Sequence, residues 1–264
     1  MEHRLVKPAV EPKCAFWKRE RFSLYQLRKM YSIYRVYYEN TNFDLFMSDF
    51  NKKTGAFVIT HPDTREIVGF STLMDCNVND GEKSYQAIFS GDTVIEKEFW
   101  GSRALQGAMF KYLIKAKLRY PTQPIYWLLI SKGFKTYLLL ANNYFTYYPH
   151  PEGKHQHLAP IVEAYCKQYF NDYYDPQNSL LNFGEGYQAL KAAVAPITGD
   201  MRENNPKIRF FEQCNPSWEM GTELPCIGEI AWSDIARYVK RFATKPVSQG
   251  RMDALIAKNR GVPA

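Results

Sequence analysis

Apolar positions first recur at helical spacing between Ser23 and Tyr38. Leu24, Leu27, Met30, Tyr31, Tyr34, Tyr37 and Tyr38 share one side, and Ser23 offers a side-chain oxygen to the free amides of the first turn. A shorter helix carries Phe43, Phe46 or Met47, and Phe50 on one side and ends at Thr54-Gly55. The period then changes. Ala56 to Thr60 and Ile67 to Cys76 are β-prone runs joined through His61-Pro62-Asp63, which predicts a hairpin. After the polar break Asn77 to Lys83, a third strand spans Ser84 to about Glu96, with Tyr85, Ala87 and Phe89 alternating. Ser90-Gly91 interrupts it, and a glycine inside a strand marks a bulge or a close approach of ligand to backbone.

Helical spacing returns after Trp100-Gly101-Ser102, through Leu105, Ala108, Met109, Tyr112, Leu113 and Ala116, and Pro121 closes the helix. Ile125 to Ile130 suits a strand buried on both faces, and Lys132-Gly133 leads to a helix from about Lys135 to Phe145. The segments 84–96, 102–119 and 125–130 thus form a right-handed β-α-β crossover behind two antiparallel strands. The fold class is α/β (α+β), a mixed, largely antiparallel sheet with helices on both faces. Further on, helices are expected over Ile161 to Tyr174, around Tyr187 to Val194 and over Ser233 to Phe242. Ile208 to Cys214 and Leu224 to Trp232 read as a final hairpin. The chain divides into an N-terminal extension (1–21), a core (22–149), a helical insertion (150–206), a hairpin completing the core (207–232) and a C-terminal helix and tail (233–264).

Charge sharpens this outline. The formal net charge is +7, and between Phe99 and Pro151 there is no Asp or Glu, only Arg103, Lys111, Lys115, Lys117, Arg119, Lys132 and Lys135. An acid-free basic window attracts phosphates, acidic proteins or anionic lipid surfaces. Lys111, Lys115 and Lys117 alone read as a solvated helix face, whereas the window as a whole points to an anionic ligand. Aromatic residues make up 16%, enough for a thick core or a Tyr-lined cavity and against disorder. No apolar run approaches a membrane span, and the N-terminus lacks the apolar stretch of a signal peptide. Cys14, Cys76, Cys166, Cys214 and Cys226 are scattered without a paired motif, so reduced thiols in a cytoplasmic protein are expected, without a metal site.

The stretch Val94-Ile95-Glu96-Lys97-Glu98-Phe99-Trp100-Gly101-Ser102-Arg103-Ala104-Leu105, with the element order around it, resembles the GCN5-related N-acetyltransferase (GNAT) superfamily in a divergent, enlarged form. There a strand ending in Val runs into a glycine-rich turn whose amides grip the coenzyme A pyrophosphate at a helix N-terminus. Free N–H groups and the helix dipole favour anions at such an end whatever the family. Gly101 keeps the first close-approach position, while Arg103 and Leu105 stand where small residues are expected, and Arg103 can offer its guanidinium to phosphate instead. The resemblance implies Val94, Ile95, Trp100, Gly101, Ser102 and Arg103 as donor-binding residues and Ser90-Gly91 as the bulge that polarises the thioester carbonyl. It also implies Tyr137 or Tyr144 as the acid for the leaving thiolate, for which core packing is the plain alternative.

Acyl transfer also needs a base. Asp92, beside Gly91, is a charge in mid-strand, though it can simply cap a turn or pair with a lysine. Glu96 and Glu98 end the same strand, or are solvent charges flanking Lys97. His150, His155 and His157 cluster in a Pro- and Gly-marked loop, better suited to supply a base than to hold a metal. The expected function is an acyltransferase, moving an acyl group from a coenzyme A thioester or acyl-carrier-protein phosphopantetheine to an amine or hydroxyl of a small-molecule or lipid-like acceptor. A non-catalytic acyl-CoA- or carrier-binding module is the alternative. Nucleic-acid binding ranks below both, because the aromatics follow core spacing. Peripheral membrane contact through the N-terminal basic helix is compatible with acyl transfer.

Overall fold

The computed structural model describes residues 8–184, 189–190 and 197–243. The chain divides into two compact units between Ile230 and Ala231. The first opens with β1 (Lys13–Lys18), α1 (Leu24–Tyr37), β2 (Tyr38–Glu39), α2 (Phe43–Phe50) and the strands β3 (Gly55–Thr60), β4 (Ile67–Asn79) and β5 (Ser84–Ile95). The crossover helix α3 (Ala104–Arg119) leads to β6 (Ile125–Ser131), α4 (Phe134–Asn143) and β7 (Tyr147–Tyr148). Then come α5 (Ala159–Phe170), β8 (Tyr174–Asp175), β9 (Leu180–Asn182), β10 (Ala189–Leu190), α6 (Gly199–Asn204), α7 (Pro206–Cys214) and β11 (Thr222–Ile230). The second unit contains α8 (Trp232–Ala243), with an Asp234–Arg237 ion pair at 3.7 Å along the helix.

Helix starts follow local chemistry. Ser23 and Gln26 form a reciprocal capping box at α1, the Asn42 side chain accepts from the Leu45 amide at α2 (2.8 Å), and Asn205 caps α7 ahead of Pro206. The strands assemble in the order β1-β3-β4-β5-β6-β11-β9-β8, with β7 on the outer side of β11 and β10 paired separately with β2. Every pair is antiparallel except β5–β6, where Gln86 to Ser90 face Ile125 to Leu129 in parallel. A mixed, largely antiparallel sheet with helices on both faces is therefore the architecture, as the resemblance implies. No helix among the described residues is long and apolar enough to cross a membrane, and all five cysteines are unpaired.

Three expectations need correction. Lys13–Lys18, assigned to an extension, is the edge strand of the sheet, paired with β3 from Lys13↔Thr60 to Lys18↔Gly55. Ile208 to Cys214 is helical, because Asn205-Pro206 starts a helix and Ile208 and Phe211 are buried one turn apart. The outer partners of β11 are instead β7 and β9. Of the helix expected around Tyr187 to Val194, Ala189–Leu190 is a strand, and the rest lies outside the described residues.

Two hydrophobic clusters share one sheet face. The first joins α1 and α2 (Met30, Tyr34, Phe46, Phe50) to Val58, Phe70 and Val94, and the second joins α5 (Ile161, Tyr165) to Phe89, Leu128 and Ile227. On the other face, α3 covers Ile59, Val68 and Ile95 through Leu105, and Tyr112 packs on Phe16 and Phe57.

Candidate functional site

The seam between the two clusters falls on β5: Phe89 belongs to one and Val94 to the other. Between them the β4–β5 register slips, from Leu73↔Ser90 to Ser71↔Thr93, so that β5 carries one extra residue at Gly91-Asp92. This is the bulge expected from Ser90-Gly91. Glycine is needed there, because a Cβ at position 91 would lie 2.4 Å from Thr72 Oγ1. The Thr72 hydroxyl is fully buried and has no hydrogen-bond partner. The β5–β6 ladder stops at the same level: Ser90↔Leu129 is its last pair, and beyond it the two parallel strands part.

Charged groups gather around this parting. Glu223 is buried at the start of β11, across from Lys132 in the β6–β11 register, and pairs with its ammonium at 3.3 Å. Lys132 Nζ also lies 5.1 Å from the ring centre of Tyr38, which stacks on Tyr34. Lys53 is buried, pairs with Asp49 at 3.0 Å and stands 5.1 Å over the Phe89 ring. Asp92 keeps some solvent contact, yet the protein packed around its carboxyl raises its pKa; Asp49 adds to the rise, and Lys132 and Lys53 oppose it. Burial likewise pushes Glu223 up to about 7, with Asp92 adding and Lys132 opposing. Asp92 and Glu223 thus both answer to Lys132, and both are displaced toward neutrality.

The expected donor-binding stretch folds as a single 3-10 turn (Lys97–Phe99) between β5 and α3, with Gly101 at φ +86°, a conformation that favours glycine. Tyr37 and Trp100 both donate to the Ile95 carbonyl at 2.8 Å. Val94 and Ile95 turn their side chains into the cores of opposite faces, leaving only their backbone toward the parting. The N-terminus of α3 already meets an anion: Glu11 Oε1 accepts from the Ser102 hydroxyl (2.6 Å) and the Arg103 amide (3.3 Å).

Of the expected catalytic residues, Asp92 alone stands at the bulge. Glu96 is at the outer end of β5, paired with Lys29 at 3.4 Å. Tyr137 is fully buried, packs on Phe210 and Phe211 and donates to the Pro149 carbonyl at 3.1 Å; burial raises its pKa far above the ordinary phenol range. Tyr144 stacks on Trp127 and lies against Gly228, toward the closed end of the β5–β6 ladder. Neither tyrosine is brought to the bulge. The His155 ring meets those of His150 and His157 in T-shaped contacts, His150 Nδ1 accepts from the Glu152 amide, and burial lowers the His150 pKa. Among the described residues no cluster of His, Cys, Asp or Glu is arranged to hold a metal.

Glu223, Lys53, Asp49 and Thr72 were not singled out from the sequence, and Lys132 was named only as one cation of the basic window. The usable signal was an acid directly before the apolar run Leu224 to Ile230 and a lysine directly after Ile125 to Ser131, which the register makes neighbours.

No protein-family model and no curated protein matches the chain. Among solved structures, it is similar to the Escherichia coli GNAT family N-acetyltransferase YhbS in complex with CoA (11% identity, 48% of this chain, 66% of that one, TM-score 0.35). It is also similar to Escherichia coli ElaA (14% identity, 52% and 88%, TM-score 0.33). A third is Saccharomyces cerevisiae N-myristoyltransferase with bound myristoyl-CoA (10% identity, TM-score 0.35), where the match spans 61% of this chain but 41% of that one. At these values the likeness fixes neither family nor activity, and the reading of the site rests on its own geometry.

Proposed function

We propose that the chain is a divergent GNAT-type acyltransferase that moves an acyl group from a pantetheine thioester to an amine, in the cleft where β5 and β6 part. The observation that carries this reading is the coincidence of three features: the bulge at Gly91-Asp92, the end of the parallel ladder at Ser90↔Leu129, and two carboxyls of raised pKa facing the same lysine. Parted strands offer unpaired backbone to an extended, amide-bearing pantetheine arm, and amides at a bulge can polarise a carbonyl oxygen.

Glu223 takes the role of base. With a pKa of about 7 it is part carboxylate at neutral pH and can accept a proton from an ammonium. The amine then attacks the thioester carbon, the C–N bond forms and the C–S bond breaks; the thiolate recovers a proton from Glu223, and the nitrogen sheds its second proton to solvent. Asp92 and Lys132 hold the charge balance around it. Trp100, Gly101, Ser102 and Arg103 line the donor's phosphate end, with Val94 and Ile95 contributing backbone only. Glu96 stays at the rim, and Tyr137 and Tyr144 serve packing.

One observation favours a second reading, a donor-binding module without turnover: the Glu11 carboxylate already occupies the α3 N-terminus. Thiol release from octanoyl-pantetheine in the presence of a panel of primary amines separates the two. Amine-dependent release that is lost in Glu223→Gln supports transfer; binding without release supports the module.

A further inference from the structure

The outward side of α3 is cationic over its whole length. Arg103, Lys111, Lys115 and Arg119 are exposed and fall on the i, i+4 row that begins at Arg103, about 24 Å long at the rise of an α-helix. None of the four forms an ion pair with an acid among the described residues, and the helix Ala104–Arg119 contains no acid at all. Lys117 does not belong to this surface: it is buried, and its ammonium donates to the Gln123 carbonyl. Leu118 is 61% exposed and follows Lys115 by three positions and Lys111 by seven, an apolar residue beside those two cations.

The row begins at Arg103, whose amide meets Glu11 just ahead of β1, and runs the length of the helix. A nucleotide gripped at the α3 N-terminus would use its first turn only. One feature there disfavours a pyrophosphate: the Glu11 carboxylate already accepts from the Ser102 hydroxyl and the Arg103 amide. A donor held by its protein carrier needs less at that point, since docking along α3 supplies the affinity and only the pantetheine arm enters between β5 and β6.

We infer that the cationic face of α3 docks an acidic phosphopantetheine carrier protein, which delivers the acyl group in place of free coenzyme A; this rests on the transfer activity proposed above. The face pairs its cations with an acidic helix and its Leu118 with an apolar residue on that helix. Opposite charge steers the encounter and makes it salt-sensitive. A lipid surface fits less well, since a single exposed leucine gives an interfacial helix little to insert.

The test compares octanoyl-holo-acyl carrier protein, octanoyl-CoA and octanoyl-pantetheine as donors for the full chain and for Lys111→Glu/Lys115→Glu. Both lysines are exposed, and unchanged turnover of octanoyl-pantetheine certifies that the variant is folded. The expected result is that the carrier thioester is the most efficient donor. Its KM should rise at least about tenfold in the double variant and as salt is raised, while kcat and the use of octanoyl-CoA stay unchanged. Octanoyl-CoA performing as well as the carrier thioester, or carrier use unaffected by the double variant, overturns the inference and leaves acyl transfer standing. Binding of phosphatidylglycerol vesicles that is lost in the variant, with no carrier binding, overturns it in favour of a membrane. Failure of all three donors, octanoyl-pantetheine included, removes the transferase reading itself.

Discussion

Glu223 is a buried carboxyl whose partner, Lys132, only partly offsets the cost of its charge, and the balance leaves it titrating at about 7. Two consequences follow at this scale. Turnover should rise with pH through an apparent pKa near that value, and Glu223→Gln should remove the ascending limb with about 10²–10⁴ of the rate, read from pH–rate profiles of both proteins. Stability should move the opposite way. Between the ordinary carboxyl value of 4.5 and about 7, the folded chain keeps a proton that the unfolded chain has lost. Stability therefore falls as pH rises through that window and levels above it, with Asp92 acting in the same direction. Urea denaturation at a series of pH values checks this, and Glu223→Gln should flatten the slope. Gly91→Ala tests the bulge: its Cβ would press on the Thr72 hydroxyl at 2.4 Å, costing on the order of 1–3 kcal/mol and closing the notch beside Asp92. A lower melting temperature together with lost thiol release is expected.

Among elements, those with strong periodicity and clear ends were legible in the residues. The helix beginning at Ser23 forms with its capping box, and Ser23→Ala should cost about 1 kcal/mol in chemical denaturation without altering turnover. The hairpin, the bulged strand and the β-α-β crossover are likewise present, because alternation, turn residues and a long amphipathic run all point the same way. Ile208 to Cys214 misled because a short apolar run serves strand or helix equally. What decided it was the Asn205-Pro206 start, which lies outside the run itself. Lys13–Lys18 escaped notice for a related reason: an edge strand flanked by lysines, with exposed and half-buried residues alternating, carries little apolar signal.

In the whole molecule, the site depends on elements far apart in sequence. Asp92 was legible, since a charge beside a glycine in mid-strand asks for a reason. Glu223 and Lys132 were not, because they become neighbours only when β11 returns beside β6, and no local pattern announces that pairing. Lys53 and Asp49 look like an ordinary i, i+4 pair until the turn after α2 sets the Lys53 ammonium over Phe89. Tyr137 and Tyr144 show the reverse case. Their place in the order of elements suggested chemistry, whereas α7 and β11 enclose them in packing.

The central claim is that the parting of β5 and β6 receives the pantetheine arm of a thioester donor. Amide hydrogen exchange with and without S-octyl-pantetheine, a thioether that cannot react and is common to both kinds of donor, tests it most directly. Binding in the cleft should slow exchange in the segments 90–95 and 129–132, on the two sides of the parting, and leave the β3–β4 hairpin unchanged. Saturating ligand that protects neither segment, or protects only surfaces away from them, would contradict the claim.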